Sequence, residues 1–203
     1  MNKVYEQGLL FIGLALAIAV VDVDMTAMNL ALPSITADIG TSLRGGQWII
    51  NGYLIAAASC MALGGIIGDC FGQKKVFLTA MLFFTLFSLF IGIAQTEMQL
   101  IIGRICQGFS VGSTFPLAIS LAKVSFPANR RGIAISGLIA VAGIAQSLGP
   151  TVGGVMVTFL NWRWLFLLNL PLCLISIYVI WRLLPTPALS SSVKKIPLSS
   201  SLS

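Results

Sequence analysis

Three ionisable side chains sit inside stretches that are otherwise apolar enough to cross a bilayer: Asp22, Asp24 and Arg104. The two aspartates lie in Val21-Asp22-Val23-Asp24-Met25-Thr26, and the arginine in Gly103-Arg104-Ile105-Cys106-Gln107-Gly108. An ionisable group at bilayer depth costs roughly 2.5–3.5 kcal/mol even on forgiving insertion scales. Such residues therefore face a protein interior or a water-filled cavity, and they mark ion or substrate pathways. The chemistry open to them is limited. A carboxyl removed from water favours its neutral form, so it can alternate between carrying a proton and attracting a cation. A guanidinium keeps its proton and acts on a neighbouring carboxylate through charge alone. These residues imply part of a membrane transporter and not an enzyme.

The elements that carry them follow from composition. Apolar residues make up 57% of the 203 and charged residues only 9%, with mean hydropathy +0.98. A soluble domain has about 25% charged residues. Spanning a bilayer takes about 20 apolar residues in a helix. Six stretches qualify: Leu9 to Leu32, Trp48 to Gly68, Val76 to Ala94, Leu100 to Ala122, Ile133 to Leu160 and Trp164 to Leu184. The expected fold is all-α, a six-helix transmembrane bundle over residues 1–184. The first stretch is too long and its charges come too late for a signal peptide. From Pro185 to Ser203 the chain turns to Ser and Pro with Lys194 and Lys195, the composition of a flexible cytoplasmic tail or linker.

The net charge of +6 could point to nucleic acid. The basic residues, however, fall in short loops. With the N-terminus inside, cytoplasmic pieces hold 9 of the 12: Lys3, Lys74, Lys75, Lys123, Arg130, Arg131, Arg182, Lys194 and Lys195. Only Arg44 and Arg163 lie outside, so the positive-inside rule places both termini in the cytoplasm. Trp48, Trp162, Trp164 and Trp181 fall at helix ends, as an aromatic belt requires. No nucleic-acid partner is expected; the lipid bilayer is.

Other chemistries are excluded or disfavoured. There is no histidine, and Cys60, Cys70, Cys106 and Cys173 form no C-x-x-C pair, so a Cys/His zinc site is ruled out. Gly108-Phe109-Ser110-Val111-Gly112 fits the nucleophile-elbow pattern, but it lies within an apolar helix in a chain with no histidine base. No P-loop spacing occurs. No cofactor and no metal are expected, and the energy source would be the proton gradient.

Several motifs occur in order. Helix one reads Asp24-Met25-Thr26-Ala27-Met28-Asn29-Leu30-Ala31-Leu32-Pro33. After helix two comes a loop, Gly65-Ile66-Ile67-Gly68-Asp69-Cys70-Phe71-Gly72-Gln73-Lys74-Lys75. Helix four gives Arg104-x-x-Gln107-Gly108, helix five Gly149-Pro150-Thr151-Val152-Gly153-Gly154, and helix six opens Trp162-Arg163-Trp164 and runs to Asn169-Leu170-Pro171. In this order and spacing the chain resembles the major facilitator superfamily, specifically the N-terminal half of its fourteen-helix drug/proton antiporters. Charges in helices one and four alone fit a three-plus-three inverted repeat with those two helices in equivalent cavity-lining positions.

The resemblance implies proton-coupled efflux of amphiphilic or cationic small molecules across a plasma membrane, the bacterial inner membrane. It implies Asp24 as the residue of proton coupling and cation recognition, with Arg104 and Gln107 coupled to it. Asp22 lies outside the family pattern. At 100° per residue it shares a face with Thr26 and Asn29, while Asp24 points with Met28 and Ala31. Both aspartates are expected to contribute. Gly65, Asp69, Gly72 and Lys74 correspond to the cytoplasmic gating loop, although Cys70 and Gln73 stand where the family commonly has basic residues. Gly149, Pro150, Gly153 and Gly154 correspond to the antiporter helix motif, with Pro150 bending the helix and the glycines allowing close approach. The partners implied are protons, a small-molecule substrate and a second, C-terminal helical bundle or a second copy of this chain. The alternative expectation is a truncated, non-transporting remnant or a membrane interaction partner.

Overall fold

The computed structural model describes residues 3–184, and the tail expected over 185–203 lies outside them. The described chain is six α-helices: α1 (Lys3–Ile39), α2 (Leu43–Phe71), α3 (Gln73–Gly92), α4 (Glu97–Ser125), α5 (Ala128–Phe159) and α6 (Arg163–Leu183). All six are long and apolar enough to cross a membrane. Among the described residues there is no strand.

Most helices overrun their apolar cores, because the stop and start signals lie outside them. At 1.5 Å per residue the 37 residues of α1 reach about 55 Å, well beyond a bilayer core of about 30 Å. Ser42 caps α2 by accepting a hydrogen bond from the Gly45 N–H at 3.0 Å. Thr96 and Gln99 form a reciprocal capping box at the start of α4.

The segment expected as a gating loop from Gly65 to Lys75 is not a loop. Helix α2 continues to Phe71 and α3 starts at Gln73, so a single residue separates them. That residue is Gly72, whose φ of +94° suits glycine and few other residues. Gly65 and Asp69 are thus helical, and Lys74 belongs to the first turn of α3. Gly65 and Gly68 keep helical backbone, and helix propagates up to Gly72.

Helix contacts obey a two-fold exchange of α1–α2–α3 with α4–α5–α6. The most extensive pairs, α2 with α4 and α1 with α5, map onto each other. So do α3 with α4 and α1 with α6, while α3 with α6 maps onto itself. Glycines make the tightest pairs possible. A Cβ on Gly108 or Gly112 of α4 would strike the Tyr53 or Ala57 carbonyl of α2. A Cβ on Gly153 of α5 would come within 2.6 Å of the Ala27 carbonyl of α1.

Two hydrophobic clusters fill the bundle. One gathers Leu14, Ile18, Phe77, Phe84, Leu117, Leu138 and Cys173; the other gathers Met28, Ile35, Ile49, Ile91, Leu100 and Phe166. Four helices run through both. Along each the gap between clusters is polar: Asp24 on α1, Ser88 on α3, Arg104 and Gln107 on α4, and Asn169 on α6.

Candidate functional site

The gap between the clusters is a closed hydrogen-bonded core. Asp24 has no exposed surface and Arg104 only 1%. Arg104 Nη1 donates to Asp24 Oδ2 at 2.6 Å and to Gln107 Oε1 at 2.8 Å. Asn169 Nδ2 donates to the other aspartate oxygen, Oδ1, at 2.9 Å. Gln107 Nε2 donates to Ser88 Oγ at 2.8 Å. The guanidinium lies over the Tyr53 ring, 3.9 Å from its centre, with the Phe166 ring at 5.8 Å. Five helices therefore converge on one ion pair, and only α5 contributes nothing to it.

This arrangement meets most of a demanding condition. A pair out of water is tolerated only with good geometry and further hydrogen bonds to the remaining lone pairs and protons. Here both carboxylate oxygens are engaged, and the aromatic face takes up part of the cation's field. Two atoms of the cluster are left over. Arg104 Nε and Tyr53 Oη are buried with no hydrogen-bond partner.

Asp22 stands on the opposite side of α1. It is partly exposed, and its Oδ1 accepts a hydrogen bond from Gln146 Nε2 of α5 at 3.2 Å. The Thr26 hydroxyl donates back to the Asp22 carbonyl at 2.9 Å, and Asn29 is exposed one turn on. Met28 and Ala31, on the Asp24 face, are fully buried. The structure thus brings Asp24, Arg104 and Gln107 together and holds Asp22, Thr26 and Asn29 apart from them.

On α5, Gly149 faces Thr26 and the Val23 carbonyl, and Gly153 faces the Ala27 backbone. Both seat α1. Gly154 is looser, since a methyl group placed there would lie 3.7 Å from Leu30, an ordinary contact distance. Pro150 is exposed within a continuous helix. At the α2–α3 turn, Asp69 accepts a hydrogen bond from Gln73 Nε2 at 3.0 Å. Lys74 is buried and turns away from Asp69. Its ammonium donates to the Trp181 carbonyl at 2.9 Å and to the Leu184 carbonyl, closing the C-terminal end of α6.

Trp162 departs from the aromatic-belt expectation. It is 1% exposed, because its indole N–H donates to Asp38 Oδ2 at 3.0 Å and its ring packs edge-on to Phe166. Trp48, Trp164 and Trp181 are exposed.

Tyr53, Ser88, Gln146 and Asn169 are the residues that sequence reasoning gave no role. Asn169 had a readable signal, as the one amide inside the apolar run of α6. Gln146 stands likewise as the one amide in the membrane-depth part of α5. Tyr53 and Ser88 had none, since an aromatic ring or a serine within an apolar helix is ordinary. A groove of about 810 Å³ between α2, α3 and α4, lined by Phe71, Phe83, Phe87 and Phe109 with Lys75 at its edge, holds none of the intramembrane charges.

The sequence profile of the Major Facilitator Superfamily matches residues 14–202. Multidrug resistance protein 3 of Bacillus subtilis is 36% identical over 172 residues, 84% of this chain and 33% of its own length. Multidrug export protein EmrB of Haemophilus influenzae is 32% identical over 176 residues, 87% of this chain and 34% of its own. The methylenomycin A resistance protein of Streptomyces coelicolor is 35% identical, covering 86% of this chain and 37% of its own. The chain spans about a third of the length of these curated relatives. Among solved structures, the proton:xylose symporter XylE superposes with a TM-score of 0.78 at 16% identity, over 92% of this chain and 46% of that one. That likeness concerns the fold alone.

Proposed function

The chain belongs to the Major Facilitator Superfamily, and from that premise we propose that it forms the N-terminal six-helix bundle of a proton-coupled exporter of amphiphilic or cationic small molecules. It is a multi-pass plasma-membrane protein of a transporter family, not an enzyme. The observation that carries the proposal is the buried Asp24–Arg104 pair on which five helices converge. In this reading Asp24 is the coupling residue. Protonation neutralises it, the attraction to Arg104 is lost, and the helices that meet at the pair are freed to shift. Arg104 stays charged throughout and supplies the restoring force. Gln107, Asn169 and Ser88 hold the two groups in register.

The rest of the machinery follows from the same frame. Both termini face the cytoplasm, because the basic segments between helices fall on that side. Asp69, Gln73 and Lys74 around Gly72 form the cytoplasmic gating element, with the Lys74 ammonium on the carbonyl end of α6, where a helix dipole favours positive charge. Gly149, against the Thr26 side chain, and Gly153, against the Ala27 backbone, let α1 and α5 approach closely and slide on each other. Residues 185–203 would serve as a cytoplasmic tail or linker. The substrate cavity is completed by a second bundle, from a longer form of the chain or from a second copy.

The test uses proteoliposomes holding the chain under an imposed proton gradient, with a fluorescent lipophilic cation as the transported probe. Gradient-driven transport that disappears in Asp24→Asn supports the proposal. Transport that persists unchanged in Asp24→Asn overturns Asp24 as the coupling residue, and absence of transport in the intact chain overturns the six-helix chain as a working unit.

A further inference from the structure

The groove of about 810 Å³ between α2, α3 and α4 takes no part in the polar core, and its lining is graded. Lys75, Thr79, Phe83 and Phe87 line it from α3 at four-residue spacing, which stacks them along one side of the helix. That stripe passes from an ammonium to a hydroxyl to two aromatic rings. The rings of Phe83 and Phe87 stack with their centres 6.2 Å apart. Ile67 and Phe71 of α2 and Phe109 of α4 complete the walls. The floor is made of small residues, Ala80, Ser110 and Ser113. Bulky walls over a small floor produce the concavity.

Charge is confined to one end. Among the described residues Lys75 is the one charged side chain in the lining, it is exposed, and neither ion pair includes it. Its neighbour Lys74 is already held by carbonyls at the end of α6. Asp69, the nearest carboxylate in sequence, is engaged by Gln73 and does not line the groove. Deeper in, Ser110 donates its hydroxyl to the Cys106 carbonyl at 3.3 Å, and Ser113 donates to the Ser110 carbonyl at 3.1 Å. The serines therefore offer the groove no free proton. From Lys75 to Phe87 the stripe is about 18 Å long at 1.5 Å per residue, and one leaflet's share of a 30 Å hydrocarbon core is about 15 Å.

We propose that this groove binds one anionic phospholipid, with the headgroup phosphate on Lys75 and an acyl chain along Phe83 and Phe87. The lipid belongs to the leaflet at the α2–α3 turn, which is the cytoplasmic one in the orientation proposed above. Basic pockets between helices at that surface draw anionic headgroups. A zwitterionic lipid fills the same walls, but its own ammonium competes with Lys75 for the phosphate. A lipophilic cation is repelled by the lysine, so the groove is no second site for the exported class.

The floor joins the groove to the polar core. Cys106, Phe109 and Ser110 line it from the same two turns of α4 that carry Arg104 and Gln107 inward. Helix α2, which forms a wall, packs on α4 at Gly108 and Gly112. A bound acyl chain therefore braces the α2–α4 pair that holds Arg104 over the Tyr53 ring.

The test uses the chain in phosphatidylcholine vesicles carrying a trace of phosphatidylglycerol with a diazirine at the end of one acyl chain. Crosslinks are mapped by peptide mass spectrometry, and a phosphatidylcholine probe with the same chain is the comparison. Phosphatidylglycerol should label the peptides around Phe83 to Phe87 and Cys106 to Phe109 about five-fold more than phosphatidylcholine, the weight of one lysine against an anionic surface. Lys75→Gln should abolish that ratio, and Lys123→Gln, at the same membrane surface but outside the groove, should leave it unchanged. Thr79→Trp, which fills the groove from an exposed position, should remove labelling there by both probes. Equal labelling by the two probes, a ratio that survives Lys75→Gln, or labelling spread evenly over all six helices overturns the site. Groove peptides left unlabelled while the rest of α3 is labelled, as a protein cover would leave them, overturn it too. The site stands or falls without reference to transport or to Asp24→Asn. Reaction of Cys70 with a membrane-impermeant maleimide added outside whole cells overturns the cytoplasmic assignment of the leaflet and leaves the site standing.

Discussion

Asp22 and Asp24 are the same residue type, two positions apart on one helix, at nearly the same depth. Their surroundings have little in common. Two steps of 100° turn them about 200° from each other, which puts one toward α3, α4 and α6 and the other toward α5. Asp24 receives a guanidinium on one oxygen and an amide on the other. Asp22 receives one amide, and its second oxygen has nothing. A carboxylate's work in a membrane protein is thus set by what neighbouring helices bring to it. In the proposed reading the closed site couples a proton to helix packing. At Asp22, the more open site, one carboxylate oxygen is buried with no hydrogen-bond partner.

The contrast predicts unequal stability effects. Removing one partner of a buried ion pair strands the other charge, at a cost of about 3–5 kcal/mol. Asp24→Asn and Arg104→Gln should each lower the unfolding midpoint steeply in detergent, followed by circular dichroism. The double variant should be more stable than either single, since no stranded charge remains. Asp22→Asn should stay within about 1 kcal/mol of wild type, because one half-exposed hydrogen bond is at stake. Equal losses from Asp22→Asn and Asp24→Asn would erase the distinction between the two sites.

Asn169 sharpens it further. Its amide holds the aspartate oxygen that Arg104 does not, and it is 4% exposed. Asn169→Leu should cost about 1.5–3 kcal/mol, the range for a hydrogen bond to a charged group. Gln146→Leu, which removes the equivalent amide from Asp22, should cost less, since Gln146 is exposed. The same unfolding measurement ranks the two.

Below these lies the packing of α1 on α5. Gly149→Ala places a methyl into the Thr26 side chain, and Gly153→Ala into the Ala27 backbone. Each should destabilise by about 1–3 kcal/mol, the usual cost of overpacking. Gly154→Ala, with 3.7 Å of room, should stay within about 0.5 kcal/mol. If all three behave alike, the close approach at Gly149 and Gly153 is not what holds α1 against α5.

Much of this was legible in the sequence for one reason: charges within an apolar run are conspicuous. Asp22, Asp24, Arg104 and the six spans could be read because composition alone separates them from their neighbours. The periodicity of α1 also separated the two aspartates, since 100° per residue needs no knowledge of other helices. What could not be read was pairing between helices. Nothing local to Ser88 or Tyr53 says that four other helices will converge there. The α2–α3 turn differs from expectation for another reason. Glycine-rich, charged residues read as a loop, yet only Gly72 has a backbone angle that breaks the helix, and Gly65 and Gly68 are simply places where α2 is narrow. Trp162 looks like an interfacial anchor from position alone, and its partner Asp38 lies 124 positions away.

The bundle contains a second ion pair, and it makes the weakest contrast and the cleanest control. Arg163 Nη1 meets Asp38 Oδ2 at 2.5 Å, with the arginine 28% and the aspartate 43% exposed. Chemically it matches Asp24–Arg104; it differs in the water around it. Arg163 also donates to the Ala94 carbonyl at 3.0 Å and lies over the Trp162 ring, so it keeps partners when the carboxylate loses its charge. Asp38→Asn retains an oxygen for the Trp162 indole and removes only the charge. The expected change in melting temperature is smaller than that of Asp24→Asn, and it should shrink between low salt and 1 M NaCl, where the screening length falls to about 3 Å. The Asp24→Asn loss should not change with salt, because no ion reaches a pair that is 0–1% exposed. A salt-dependent loss at Asp24 would mean that water already enters the core between the two hydrophobic clusters, and the closed site would then differ from the open one in degree rather than in kind.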